Sequence, residues 1–553
     1  MFYKDLNWMD EIKKHALFFL MIIVFFLLLV RNMGIYPLVF ADEYGYSLYS
    51  RILPFKDAPL PNYLYFAIFK KMNYCGDGFL GCARMLNSFF YVAATPFIYS
   101  IARQVCTKNA ACFIALLALL SPVNSYTAYF MPESTYYMTF WIFAWFVLRL
   151  DAESSVSSWC LAGIILGIVS LIKPHGLLLI PAILLYIFYI KKQNNKPWMR
   201  QTFLSASCFI AFTLLIKFFV GYMLAGKSGI TLFGVTYTSM ADSATSDKKH
   251  YMELLSLALI NMKGHLLVIF AIFSVSIAAA CSMLGNVGAN IKPAQKIAFF
   301  TLMILFTLIV AIGFFAASTV NYGPYESIYR ISMRYYNFVF PLMFIIAASQ
   351  FSMEPTNIGN VKYRVIIGFI VGSVLIYAVL NRFGAYVPSY IDCPELAVFL
   401  DNPVLFKSLA LLSLSSLMLW IYAPRKGAKL FIYVMMPIFI VYSMYYIHQQ
   451  FRKSIEPTVF DKAGIFTRLY VPVQERSKVL IVGTHLAGLY RSLFYLDNAK
   501  ASCEGIPAES KYDFSKTPKD KEWVLVIGDY VPKNNTFAQV AMDGYTLVHV
   551  KHG

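Results

Sequence analysis

Two adjacent carboxylates, Asp42 and Glu43, stand just past the first apolar run of the chain. Carboxylates at a membrane edge are costly unless they are solvated or partnered. A solvated one within reach of a hydroxyl can take its proton as a general base; the plainer alternative is a pair of loop acids, or a cap for the segment that follows. Lys56 comes next, in Lys-Asp-Ala-Pro-Leu-Pro, where an ammonium can neutralise a phosphate as a point charge. Pro132-Glu133 supplies a further acid. Lys173-Pro174-His175-Gly176 sets a lysine and a histidine in a tight interval between two apolar runs, where they can bind phosphate or sugar, or snorkel to headgroups. Arg330 and Arg334 are four apart, a spacing that places both on one helix face. Paired guanidiniums bind phosphate through planar forks, and Tyr335 beside them suits sugar stacking as well as a headgroup belt.

The elements that position these residues are membrane spans. Of 553 residues, 59% are hydrophobic and 14% charged, against about 25% charged in a soluble protein, and the mean hydropathy is +0.60. A soluble enzyme is excluded. The net charge of +18 follows from the Lys and Arg that cytoplasmic loops collect, so no nucleic-acid partner is expected. Apolar runs begin at Ala16–Val30 and continue near Arg84–Ile101, Ala110–Pro122, Thr135–Leu150, Trp159–Ile172, Leu177–Ile190, Thr202–Val220, His265–Leu284, Ile297–Ala316, Asn337–Ser349, Val365–Leu380, Leu405–Tyr422 and Leu430–Ile447. The expected architecture is a polytopic α-helical membrane protein of about thirteen spans, several of them short.

Lys4, Lys13 and Lys14 precede the first span and place the N-terminus in the cytoplasm. Strict alternation then puts Arg103/Lys108, Arg149, Lys191/Lys192/Lys196/Arg200, Lys292/Lys296, Lys362/Arg364 and Arg425/Lys426/Lys429 inside. Each of these loops is basic except the one after Arg149, which holds Asp151 and Glu153. Asp42, Lys56, Glu133, Lys173, His175, Arg330 and Arg334 all fall on the opposite face. The aromatic stretch after Pro61, with Lys70 and Lys71 behind it, reads as an interfacial helix. Residues 1–447 are thus a membrane domain with outer loops and interfacial helices at 32–83 and 221–264. Residues 448–553 read as a small α/β soluble domain, with strands at Lys478–Gly483, Trp523–Gly528 and Tyr545–Val550 and a helix over Thr484–Phe494. Its glycines lack the spacing of a nucleotide fingerprint. Nine cysteines show no metal-ligand spacing; Cys75 and Cys82 lie on the outer face and can pair.

This layout resembles the GT-C glycosyltransferases that use polyprenyl-phosphate sugars, in particular the protein O-mannosyltransferase and lipid A aminoarabinose transferase branch. The resemblance implies that Asp42 is the catalytic carboxylate, with Glu43 its neighbour in the same motif. Lys56 stands where the family has a Lys-Pro-Pro-Leu-type element whose lysine contacts the carrier phosphate, although Asp57-Ala58 interrupts the pattern here. Glu133 resembles the second-loop acid, Lys173-Pro-His-Gly an element after the fifth span, and Arg330 or Arg334 a basic residue of a later outer loop. The resemblance implies a polyprenyl-phosphate-linked sugar donor, a glycan or lipid acceptor and inversion at the anomeric carbon. Compact loops without long luminal insertions point to a bacterial inner membrane, and the charge alternation puts the site and the C-terminal domain in the periplasm. No cofactor is expected, a divalent cation being possible. Two other classes compete: a lipid-linked glycan flippase, which would place charges inside spans, Lys217 being the clearest here, and an O-antigen polymerase or ligase.

Overall fold

The computed structural model describes residues 2–193, 197–235, 248–285, 291–320, 326–352, 361–381, 384–507, 512–528 and 538–550. Among these, nine helices are long and apolar enough to cross a membrane, or ten if the bent pair Lys108–Leu120 and Pro122–Ala128 forms one span. The protein is a multi-pass membrane protein. Every span expected from the sequence coincides with a helix. The lower count arises because Glu133–Val147, Val156–Ile172 and Phe340–Ser352 have only 15, 17 and 13 residues. At about 1.5 Å per residue these fall short of the hydrocarbon thickness. The first and last of them are largely buried among other helices, so neither has to match the bilayer by itself.

Helix Val156–Ile172 packs against helix Trp198–Ala225 through Gly163 and Gly167, one turn apart. A Cβ at Gly163 would lie 2.4 Å from the Phe209 carbonyl oxygen, and one at Gly167 2.9 Å from that of Thr213. Small residues at this spacing let two apolar helices approach backbone to backbone, where packing rather than water drives association. At one end of the bundle the basic loops converge. Lys191 Nζ donates to the carbonyls of Ala152 and Ser154, and Arg103, Lys292 and Ser352 line one cavity.

At the other end, the aromatic segment expected to lie in the headgroups forms helix Tyr63–Phe69. Its face is not spread on lipid: Tyr65, Phe66 and Phe69 are fully buried. Tyr65 stacks on Phe69 at 4.2 Å, while Lys70 and Lys71 stay exposed. The tertiary packing offered these rings a dry protein surface, which removes more of their area from water than an interface does. Of the second expected interfacial region, residues 236–247 lie outside the described residues. Much of the remainder belongs to helices Trp198–Ala225 and Lys248–Gly285 and the turn Gly226–Gly229.

Two short strands, β1 (Arg330–Ile331) and β2 (Val387–Pro388), pair in parallel. The C-terminal sheet has five strands rather than three. They are β3 (Val479–Gly483), β4 (Ser502–Gly505), β5 (Trp523–Ile527), β6 (Ala538–Met542) and β7 (Tyr545–His549), in the order β4-β3-β5-β7-β6. β3 pairs in parallel with β4 and β5, and β7 antiparallel with β5 and β6. β4 and β6 were illegible because edge strands such as Ser-Cys-Glu-Gly lack the apolar run of a buried strand. Helix Leu486–Leu496 crosses from β3 to β4 and packs on helix Val459–Tyr470.

Candidate functional site

Helix Phe40–Ser47 carries Asp42 and Glu43 in its first turn. The Glu43 side chain is fully buried. Its Oε2 accepts from the backbone N–H of Leu38 at 2.6 Å and Val39 at 2.9 Å, and its Oε1 from that of Phe130 at 2.8 Å. It therefore ties the start of its own helix to the second loop of the same end. Arg84, also buried, donates to the carbonyls of Ile35 and Ala128 and closes the same two loops. These contacts fix the backbone from which Asp42 projects.

Asp42 Oδ2 accepts from Arg334 Nη1 at 2.8 Å, and its side chain keeps 39% of its surface exposed, against 11% for Arg334. Arg334 Nε lies 3.2 Å from Asp392 Oδ1, and Arg330 Nε 2.7 Å from Asp392 Oδ2. Asp392 thus sits between two guanidiniums. Burial works to raise its pKa, but the two arginines outweigh it and hold the carboxyl below its usual range. Burial works to lower the Arg334 pKa, and Tyr335, Asp42 and Asp392 raise it above the ordinary value. Charge in this cluster is locked by opposite charge, which is how buried ions become tolerable.

Next to it, Lys173 Nζ donates to Glu133 Oε1 at 3.0 Å, both side chains almost wholly buried. Burial lowers the Lys173 pKa, Glu133 opposes that shift, and Arg334 adds to it. Glu133 stands at the first position of helix Glu133–Val147, where the helix dipole favours a carboxylate. Its Oε2 is buried and has no hydrogen-bond partner among the described residues. Tyr335 joins the two halves. Arg334 Nη2 donates to its hydroxyl at 3.3 Å, His175 stacks on its ring at 4.7 Å and 16°, and Lys173 Nζ lies 5.1 Å from the ring centre.

Asp42, Glu133, Lys173, His175, Arg330, Arg334 and Tyr335, far apart in sequence, thus form one connected group. Glu43 lies beneath it and is saturated by backbone donors. Lys56 is exposed in the turn Phe55–Asp57, and none of the hydrogen bonds that join the group includes it. Sequence reasoning missed Asp392 and, behind it, Glu395, whose Oε1 accepts from Asn337 Nδ2 at 3.1 Å. The available signal was Asp-Cys-Pro-Glu in an expected outer loop, together with two arginines that would need a counter-charge. As placed, Asp42 and Asp392 share a guanidinium instead of converging oxygens on a cation. No group of three His, Cys, Asp or Glu side chains that could hold a metal occurs among the described residues.

The outer surface of helix Phe40–Ser47 is closed by the C-terminal domain. Tyr44 lies 5.7 Å from Tyr490, ring to ring. Arg51 makes a two-pronged pair with Asp497, at 3.0 and 2.8 Å, and sits 3.3 Å above the Phe79 ring. Cys75 and Cys82 are disulfide-bonded, and Asp77 within that loop pairs with Arg468.

Residues 82–220 match the model of the dolichyl-phosphate-mannose-protein mannosyltransferase family. That segment carries Glu133, Lys173 and His175 but not Asp42, Arg334 or Asp392. No curated protein matches the chain. Over its whole length, however, the chain superposes on a crystal structure of ArnT from Cupriavidus metallidurans in the apo state, with 14% identity, a TM-score of 0.50 and coverage of 99% of this chain and 98% of that one. The chain has the GT-C fold. The same protein bound to undecaprenyl phosphate gives a TM-score of 0.51 at 13% identity, covering 96% of this chain and 97% of that one. In this fold, as expected from the sequence, a bundle of apolar helices carries a small C-terminal sheet at one end.

Proposed function

We propose that the protein is a membrane glycosyltransferase that moves a sugar from a polyprenyl-phosphate carrier to a hydroxyl of a cell-surface glycan or lipid acceptor. The observation that carries the reading is Asp42: a carboxylate anchored by Arg334, still exposed, amid the cationic side chains Lys173, Arg330 and Arg334. Two comparisons support it, the segment match to a dolichyl-phosphate-mannose-protein mannosyltransferase model and the shared fold with an ArnT that binds undecaprenyl phosphate.

Asp42 takes the proton of the acceptor hydroxyl as its oxygen attacks the anomeric carbon. The bond from that carbon to the carrier phosphate breaks, its electron pair leaves with the phosphate, and the anomeric centre inverts. Arg330 and Lys173 stabilise the charge gathering on the departing phosphate. Lys56, exposed and outside the cluster, meets the carrier as it approaches. His175 and Tyr335 give a flat aromatic surface for the sugar ring, and Glu133 Oε2 accepts from one of its hydroxyls.

The site end faces the periplasm of a bacterial inner membrane. Two observations support that side: the basic loops gather at the opposite end, and a disulfide stands at the site end, which suits an oxidising compartment. A flippase would use Lys217, buried in its helix with no hydrogen-bond partner among the described residues; the acid–arginine cluster lies at the end of the bundle, where transfer needs it. Mass spectrometry of surface glycans from wild type, a deletion strain, and the deletion carrying Asp42→Asn at matched protein level tests the reading. A sugar-sized mass lost on deletion and not restored by Asp42→Asn is expected; full restoration would overturn the assignment of Asp42.

A further inference from the structure

Away from the acid–arginine cluster, helices Lys248–Gly285 and Val361–Asn381 leave an open groove of about 580 Å³ between them, within the range of ligand sites. Its walls are apolar, formed by Leu259, Leu266, Phe270 and Val374 among others. Both helices are long and apolar enough to span the bilayer. At the rim stands an exposed cation. Lys263 Nζ donates to the Tyr377 hydroxyl at 2.7 Å and lies 5.0 Å from the centre of the Tyr377 ring. An ammonium has three N–H donors, and this one spends one of them on the Tyr377 hydroxyl at the rim of the groove. Tyr377 is four residues from the end of its helix, so the cation sits at headgroup level and the apolar walls run below it. A lysine and a tyrosine at that depth are interfacial anchors by chemistry.

The same stretch of helix supports the candidate site. Asn261 Nδ2 donates to the carbonyls of Ile328 at 2.7 Å and Arg330 at 3.1 Å. Tyr386, beside the strand partner of Arg330, packs its ring on Gly264 and donates its hydroxyl to the Ile260 carbonyl. Residues 260–264 therefore form the seat of β1 and β2 on one side and the rim of the groove on the other.

We propose that this groove is a binding site for an anionic phospholipid, with one acyl chain between the two helices and the headgroup phosphate on Lys263. Charge complementarity selects this occupant: apolar walls accept any acyl chain, but the rim offers an exposed cation that, among the described residues, is hydrogen-bonded to Tyr377 alone. The proposal does not depend on the glycosyltransferase reading. A bound lipid would brace the 260–264 stretch and with it the carbonyl of Arg330.

The test is native mass spectrometry of the full-length protein in detergent, equilibrated with equal amounts of phosphatidylglycerol and phosphatidylcholine. Wild type retains phosphatidylglycerol preferentially. Lys263→Ala lowers that preference about fivefold, as expected for one lysine at an anionic lipid. Lys227→Ala, another exposed lysine at the same end, leaves it unchanged. Ser373→Trp, which fills the groove, lowers retention of both lipids. An equal loss in Lys263→Ala and Lys227→Ala, no preference in the wild type, or a dimer in place of lipid adducts would overturn the proposal.

Discussion

Asp42 combines two properties a general base needs, a fixed position and an accessible oxygen. Arg334 supplies the first while leaving 39% of the carboxylate side chain exposed. Asp392 has the opposite character. It is buried between Arg330 and Arg334 with 3% of its side chain exposed, and its role is to hold those guanidiniums. Two variants separate the roles. Asp392→Asn removes the carboxylate that Arg330 and Arg334 share, while Glu326 and Asp42 still pair with them, and costs roughly 1–3 kcal/mol, read as a fall in the unfolding midpoint in detergent. Arg334→Lys keeps the charge but loses the planar fork. It should lower turnover more than it lowers stability, which a paired kinetic and thermal measurement resolves. Because the folded pKa of Asp392 is depressed, its contribution to stability is present above the unfolded value of about 3.9 and is lost as pH falls through the folded value.

Helix Phe40–Ser47 is the element on which the site depends, and it is held from both sides. On the inner side Glu43 accepts its three backbone N–H groups. Glu43→Gln turns one acceptor into a donor facing a donor and costs about 1–3 kcal/mol. Activity and thermal stability should fall together although Asp42 is intact. On the outer side the C-terminal domain closes over the helix through Tyr490 and the Arg51–Asp497 pair. Arg51→Ala removes the charge, both prongs and the contact with Phe79. Limited proteolysis in the connection between Lys453 and Val459 should then accelerate, while a surface control such as Lys500→Ala leaves the rate unchanged.

For the molecule as a whole, the buried charges at the polar end of the bundle meet either an opposite charge, as Arg334 does, or several backbone partners, as Glu43 and Arg84 do, and Glu395 has less. It is fully buried and bonded to Asn337, its Oε2 has no hydrogen-bond partner among the described residues, and burial raises its pKa to about 7. The sign of the effect follows from proton counts. Between the unfolded value of about 4.3 and the folded value, the native state holds a proton that the unfolded chain has lost, so stability declines as pH rises. Above about pH 7 the decline is complete. Glu395→Gln keeps the shape without the charge and should flatten the dependence of the unfolding midpoint across pH 4.5 to 7, a gain of about 2–3 kcal/mol at the upper end.

The membrane class, a helix at each expected apolar run and most members of the acid–arginine cluster were legible in the chain itself, although fewer of those helices than expected are long enough to span. Hydropathy and loop charge are local sums, and the bilayer imposes them segment by segment. Asp42, Glu133, Lys173 and Arg334 announced themselves as polar groups at span ends, where only function or solvation tolerates them. Tertiary structure alone decided which charges meet. Asp392 is one acid in a late loop until Arg330 and Arg334 close on it, Glu43 is as plausible a base as Asp42 until three backbone N–H groups claim it, and Lys56 matches a motif yet stays outside the cluster. A carboxylate's role depends on its partners within a few ångströms, and those partners lie tens to hundreds of residues away along the chain.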